Sequence, residues 1–76
     1  MTDGHFVPIL AFAMRAQNGE RNTSLFWAAC RLAEHVRDGQ LAETDMMDWV
    51  IGVGERIGLD HKEARNSALS ALRIIR

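Results

Sequence analysis

Apolar positions in this chain recur three and four residues apart, in four runs divided by glycines. That spacing predicts four amphipathic helices. The first runs roughly from Phe6 to Ala16, with Phe6, Ile9, Leu10 and Ala13 on one face. Asp3 is expected to cap it, and Pro8 to fall near the first turn, where a missing N–H does no harm. Gln17-Asn18-Gly19 reads as its stop, with Asn18 or Gly19 left-handed.

The second helix is expected to start at Asn22 or Thr23, whose side-chain oxygens can accept from unpaired backbone N–H groups. Leu25, Ala29, Leu32 and Val36 form its inner stripe, Ala28 and Ala33 flank it, and Asp38-Gly39 closes it. The third spans about Ala42 to Arg56, with Met46, Trp49, Val50, Val53 and Ile57 in line. Glu43, Asp45 and Asp48 crowd its start, where the helix dipole favours negative charge. Gly52 and Gly54 inside it suggest close backbone packing or local weakness. Gly58 ends it. Asp60 then opens the fourth helix with an acidic form of the capping box, Asp60-His61-Lys62-Glu63. Its inner stripe is Ala64, Ala68, Ala71, Leu72 and Ile75, and no stop signal follows, which leaves room for further chain. No stretch alternates with period two. The expectation is an all-α fold: one helical domain over residues 1–76, a small bundle of three to four short helices with glycine turns. Spare apolar residues at Phe26, Met47 and Ile51 suggest a homodimer that covers them.

Composition narrows the class without naming a task. The 76 residues are 47% apolar and 25% charged, as in ordinary folded domains. A multi-domain enzyme does not fit in this length. No stretch approaches the ~18 apolar residues of a membrane span. Phe6 to Met14 is a poor signal peptide, since it contains Pro8, ends at Arg15 and has no basic residue before it. The single cysteine, Cys30, excludes an internal disulfide and fits a cytoplasmic protein.

Catalytic chemistry finds little support. His5, His35 and His61 lie far apart, without metal-ligand spacing, so no metal or other cofactor is expected. Cys30 has no histidine one turn away to activate it, and no Lys-Ser/Thr follows the glycines as in a phosphate loop. Charge is more informative. The net value is −1, yet Ala42 to Asp60 holds five acids and one base, and His61 to Arg76 four bases and one acid. On the fourth helix Lys62, Arg65, Arg73 and Arg76 fall in a sector about 80° wide, opposite the alanines. Leu69 lies within that sector and Asn66 borders it. Such a ridge can lie along a phosphate backbone, or be a solvated face, or be neutralised by the acidic third helix. Eight of the nine bases are arginine, whose planar fork suits phosphate or carboxylate. Trp27 stands among Arg31, Glu34 and Asp38 on the charged side of the second helix. It is either a surface ring stacked under Arg31, or an anchor for a partner or a base.

Gly19-Glu20-Arg21-Asn22-Thr23-Ser24-Leu25, followed by Ala28-Ala29-Cys30-Arg31-Leu32, then Gly39-Gln40-Leu41 and Gly58-Leu59, resembles a known segment. It is similar to the C-terminal helical segment of bifunctional primase-polymerases and related primases of phages, prophages and plasmids. The likeness covers about Gly19 to Leu72, and Gly19, Arg21, Asn22 and Leu25 are its most specific part. The chain departs from the pattern at Trp27, usually polar there, and after Ser70, where a glycine is usual. The resemblance implies a non-catalytic module beside a replication enzyme, assisting template or nucleotide engagement, with Arg21 and Asn22 at the matching positions. Two expectations follow. One is contact with single-stranded nucleic acid through Arg21, Asn22, Lys62, Arg65, Arg73 and Arg76. The other is docking on a protein partner, or self-association, through Trp27 and Arg31.

Overall fold

A computed structural model describes residues 3–15 and 19–75, apart from the side chains of residues 3–5. Among these residues the chain forms four α-helices, α1 (Asp3–Met14), α2 (Arg21–Arg37), α3 (Glu43–Arg56) and α4 (His61–Ile75), and no strand. The all-α bundle expected from periodicity is the fold. α2 packs against each of the other helices and α4 against α2 and α3, while α1 rests on α2 and α3 alone.

Two helix starts differ from expectation. α1 begins at Asp3 itself, so Pro8 falls in the second turn and removes the N–H that would reach the Gly4 carbonyl. α2 begins at Arg21, with Glu20 at the cap position and no side-chain cap bond, so Asn22 and Thr23 lie inside the first turn. The reversal at Gly19, φ +91°, already places the Glu20 carbonyl to accept from the Ser24 N–H at 2.9 Å. At the start of α4 one half of the capping box forms, with Glu63 Oε1 accepting from the Asp60 N–H at 3.2 Å.

The ends of α2 and α3 share one device. Gln40 N–H donates to the His35 carbonyl at 2.9 Å and Gly39 N–H to the Val36 carbonyl at 3.0 Å. Likewise Leu59 N–H donates to the Gly54 carbonyl at 2.8 Å and Gly58 N–H to the Glu55 carbonyl at 3.1 Å. This bonding pattern needs a left-handed residue just past the cap. Gly39 at φ +80° and Gly58 at φ +96° supply it without the steric cost that a Cβ would bring.

Phe6, Leu25, Leu32, Met46 and Val50 are the largest fully buried side chains, and Val53, Leu72 and the α4 alanines complete the core. Phe6 anchors α1: its ring meets the His35 ring of α2 edge-on at 5.0 Å and tilts against Trp49 of α3 at 5.5 Å. Val36, Trp49 and Ile57, expected inside, lie half-buried against this core. So do Phe26, Met47 and Ile51, the residues that suggested a homodimer. The large apolar side chains left exposed are Val7, Phe12, Met14, Trp27 and Ile74.

The two glycines inside α3 have opposite meanings. A Cβ at Gly54 would sit 2.5 Å from the Ala64 Cβ and 3.0 Å from Leu25 Cδ2, whereas one at Gly52 meets nothing within 4 Å. Gly54 is the close contact among α2, α3 and α4. Gly52 is only a weak helix former in open space. Gly54→Ala should therefore lower the unfolding free energy by about 1–3 kcal/mol through overpacking. Gly52→Ala should raise it by up to ~1 kcal/mol. Urea unfolding of the two variants measures both, and equal shifts would contradict this packing.

Candidate nucleic-acid interface

α4 is amphipathic because its small and charged residues segregate. Ala64, Ala68, Ala71 and Leu72 are buried, and Lys62, Arg65 and Arg73 are exposed on the outward side. At 1.5 Å per residue, Lys62 to Arg73 spans about 16 Å along the axis. Arg76, the fourth member of the expected ridge, lies outside the described residues. Among the described residues the ion pairs are Arg31–Glu34 at 3.3 Å and Arg37–Asp38 at 3.4 Å, and His61 Nδ1 meets Glu55 Oε2 at 2.9 Å. None of them engages Lys62, Arg65 or Arg73. The acids of α3 therefore do not neutralise these three by direct pairing. Glu55, the last acid of α3, accepts from His61 Nδ1 instead. Arg73 borders a depression of about 310 Å³ whose other walls are Glu43, Leu69 and Leu72.

Beside this ridge, α2 and α4 leave a shallow groove of about 380 Å³, lined by Asn22, Thr23, Phe26, Asn66, Ser67 and Ser70. It joins Asn22, singled out by the resemblance, to Asn66 at the ridge border. Sequence reasoning did not find this groove, because its two walls lie some forty residues apart and each looks like an ordinary polar helix face. The signal that could have pointed to it is the small polar pair Asn66 and Ser67 with Ser70 one turn later on α4.

Arg21 is placed elsewhere. It is half-buried, and a Cβ at Gly58 would lie only 2.7 Å from its Nη1. Its guanidinium thus covers the α3–α4 turn, and Gly19, Arg21, Asn22 and Leu59 together line a depression of about 320 Å³. Two separated parts of the resembling pattern, Gly19-x-Arg21-Asn22 and Gly58-Leu59, meet in space. Arg21 sits at the C-terminal end of α3, where a cation is favoured by the helix dipole. Its packing on the turn gives it a structural task in addition to any ligand contact.

Trp27 and Arg31 form no stack of the kind expected. The Trp27 ring is 44% exposed and tilts against Phe12 of α1 at 4.6 Å, while Arg31 Nη1 pairs with Glu34. Phe12 lies off the Phe6, Ile9, Leu10 and Ala13 face that periodicity marks, but no pattern within α1 says that it meets Trp27 of α2. Trp27 follows Phe26 in sequence and lies ~100° further round α2, which turns it away from the groove.

The remaining reactive side chains have local roles. His35 Nδ1 donates to Gln40 Oε1 at 2.6 Å across the end of α2. No group of three or more His, Cys, Asp or Glu residues could hold a metal among the described residues. Cys30 is half-buried; burial, and secondarily the Glu34 carboxylate, push its thiol above the ordinary 9.0. The raised value disfavours thiolate in the folded state, so its stability contribution is intact below the unfolded thiol pKa. That contribution is lost as pH rises through the folded value. Iodoacetamide should accordingly alkylate Cys30 more slowly in the native chain than in urea at pH 8, and Glu34→Gln should speed the native reaction modestly. Equal native and unfolded rates would contradict the burial.

No protein-family model matches the chain, and neither a curated protein nor a solved structure does.

Proposed function

We propose that this chain is a non-catalytic helical module of a phage or mobile-element replication protein of the primase-like kind. In this reading it engages single-stranded nucleic acid by laying the outward face of α4 along the phosphates. The observation that carries the reading is the line of Lys62, Arg65 and Arg73, exposed and, among the described residues, without an ion-pair partner. Each exposed cation that neutralises a phosphate displaces cations condensed on the strand, and their release to solution favours binding. Arginine's fork adds two-point contact with phosphate oxygens. With a net charge of −1 the whole protein is not drawn to a polyanion, so attraction must come from a local patch such as this face. The cytoplasm, where such a strand is found, agrees with the lone cysteine. No helix among the described residues is long and apolar enough to cross a membrane.

A second reading is favoured by one feature. The Phe12–Trp27 pair presents adjoining, partly exposed aromatic rings away from α4, a surface suited to a protein partner. The two readings respond differently to salt, since aromatic docking lacks counterion release.

Fluorescence anisotropy with labelled single-stranded oligonucleotides separates them. Arg65→Ala together with Arg73→Ala should weaken binding to every strand and flatten the plot of log K against log salt. The expected change is about 0.7 per lost contact, or roughly 1.4 for two. The fold should persist, because exposed substitutions usually shift stability by less than ~0.5 kcal/mol. Trp27→Ala should leave strand affinity unchanged. If the native protein shows no binding at low salt, the phosphate reading fails and the Phe12–Trp27 surface becomes the leading one.

A further inference from the structure

We infer that the groove between α2 and α4 is a base pocket that takes one unpaired adenine. This rests on the reading of α4 as a phosphate-binding face and deepens it. The groove, about 380 Å³, carries two carboxamides, Asn22 and Asn66, three hydroxyls and one half-buried ring, Phe26. None of its lining residues is charged.

That donor set favours adenine over guanine and cytosine. Guanine is read most often by a cation at O6 and N7, and the exocyclic amine of cytosine by a carboxylate. The groove holds neither. A carboxamide offers one donor and one acceptor side by side, the complement of adenine N7 and N6. Phe26 gives the base plane an apolar surface, the usual companion of hydrogen-bond readout for splayed bases in single strands.

Position completes the argument. Asn66 stands one turn after Lys62, and Ser70 one turn after Asn66 and three residues before Arg73. All four point to neighbouring sectors of one helix. A strand whose phosphates follow the ridge therefore runs along the rim of the groove. A base turned toward α2 enters between the two asparagines. In this arrangement the ridge supplies affinity and the groove supplies preference.

The test uses a short oligothymidine carrying, at one central place, adenosine, guanosine, cytidine or an abasic site. Binding is followed by anisotropy at fixed salt on the full chain. The adenosine strand should bind about tenfold more tightly than the other three, within the range of one good two-point contact. Asn22→Ala and Asn66→Ala should each bring the adenosine strand to the affinity of the others and leave the salt slope unchanged. Far-ultraviolet circular dichroism checks that each variant stays helical, and Ser70→Ala serves as a milder variant should either unfold. Equal affinity for all four strands, with the slope still dependent on Arg65 and Arg73, would overturn the pocket and leave the phosphate face standing. A preference that survives both asparagine variants would also overturn it. Absence of binding to any strand at low salt would remove the phosphate face, and the pocket with it.

Discussion

Close packing in this small bundle depends on one position where a side chain is missing. At Gly54 the backbone of α3 comes so near Ala64 of α4 and Leu25 of α2 that a methyl group there would clash with both. Three helices are fixed by that one contact. It sets how deep α4 sinks between α2 and α3, and therefore which of its faces is left for solvent. The buried face of α4 is almost all alanine, which permits close packing but removes little apolar area per residue. Larger side chains on the other helices, Leu25, Leu32, Met46 and Val50, fill the space that the alanines leave.

Placement of the candidate interface follows from this geometry. With its alanines turned inward, α4 has no option but to hold Lys62, Arg65 and Arg73 outward. With its backbone close to α2, it brings Asn66, Ser67 and Ser70 opposite Asn22, Thr23 and Phe26. The turn between α3 and α4 is held from a third direction, by Arg21 lying on Gly58. Gly58 thus serves twice: its positive φ ends α3, and its lack of a side chain leaves room for the guanidinium. α1 is the exception to this economy. Among the described helices it packs on α2 and α3, is anchored by Phe6, and keeps Val7, Phe12 and Met14 exposed.

Most of the fold was legible in the sequence, because periodicity and turn glycines are local signals. The stripes of α2, α3 and α4, the capping box at Asp60 and the turns at Gly39 and Gly58 could be read from spacing alone. Helix starts were harder: Asn22 and Thr23 look like caps, but the reversal at Gly19 begins α2 before them. The ridge was legible for the same reason as the stripes, since one helix carries all of it. What could not be read was whatever two helices build together. The groove, the Arg21–Gly58 contact and the Phe12–Trp27 pair each join residues distant in sequence, and no pattern within one helix encodes its neighbour. The two interior glycines of α3 looked alike in sequence, and only the presence of Ala64 and Leu25 distinguishes Gly54 from Gly52.

The central claim is that α4 presents a phosphate-binding face, and the most direct measurement is a map of that contact at residue resolution. Backbone amide resonances of the isotope-labelled protein, followed by NMR during titration with a single-stranded oligonucleotide at low salt, report which residues sense the strand. The account predicts that the largest shifts cluster at Lys62, Arg65, Asn66 and Arg73, with Asn22 and Phe26 next, and that Phe12 and Trp27 stay unmoved. Shifts centred on Phe12 and Trp27, or none anywhere at saturating strand, would contradict it.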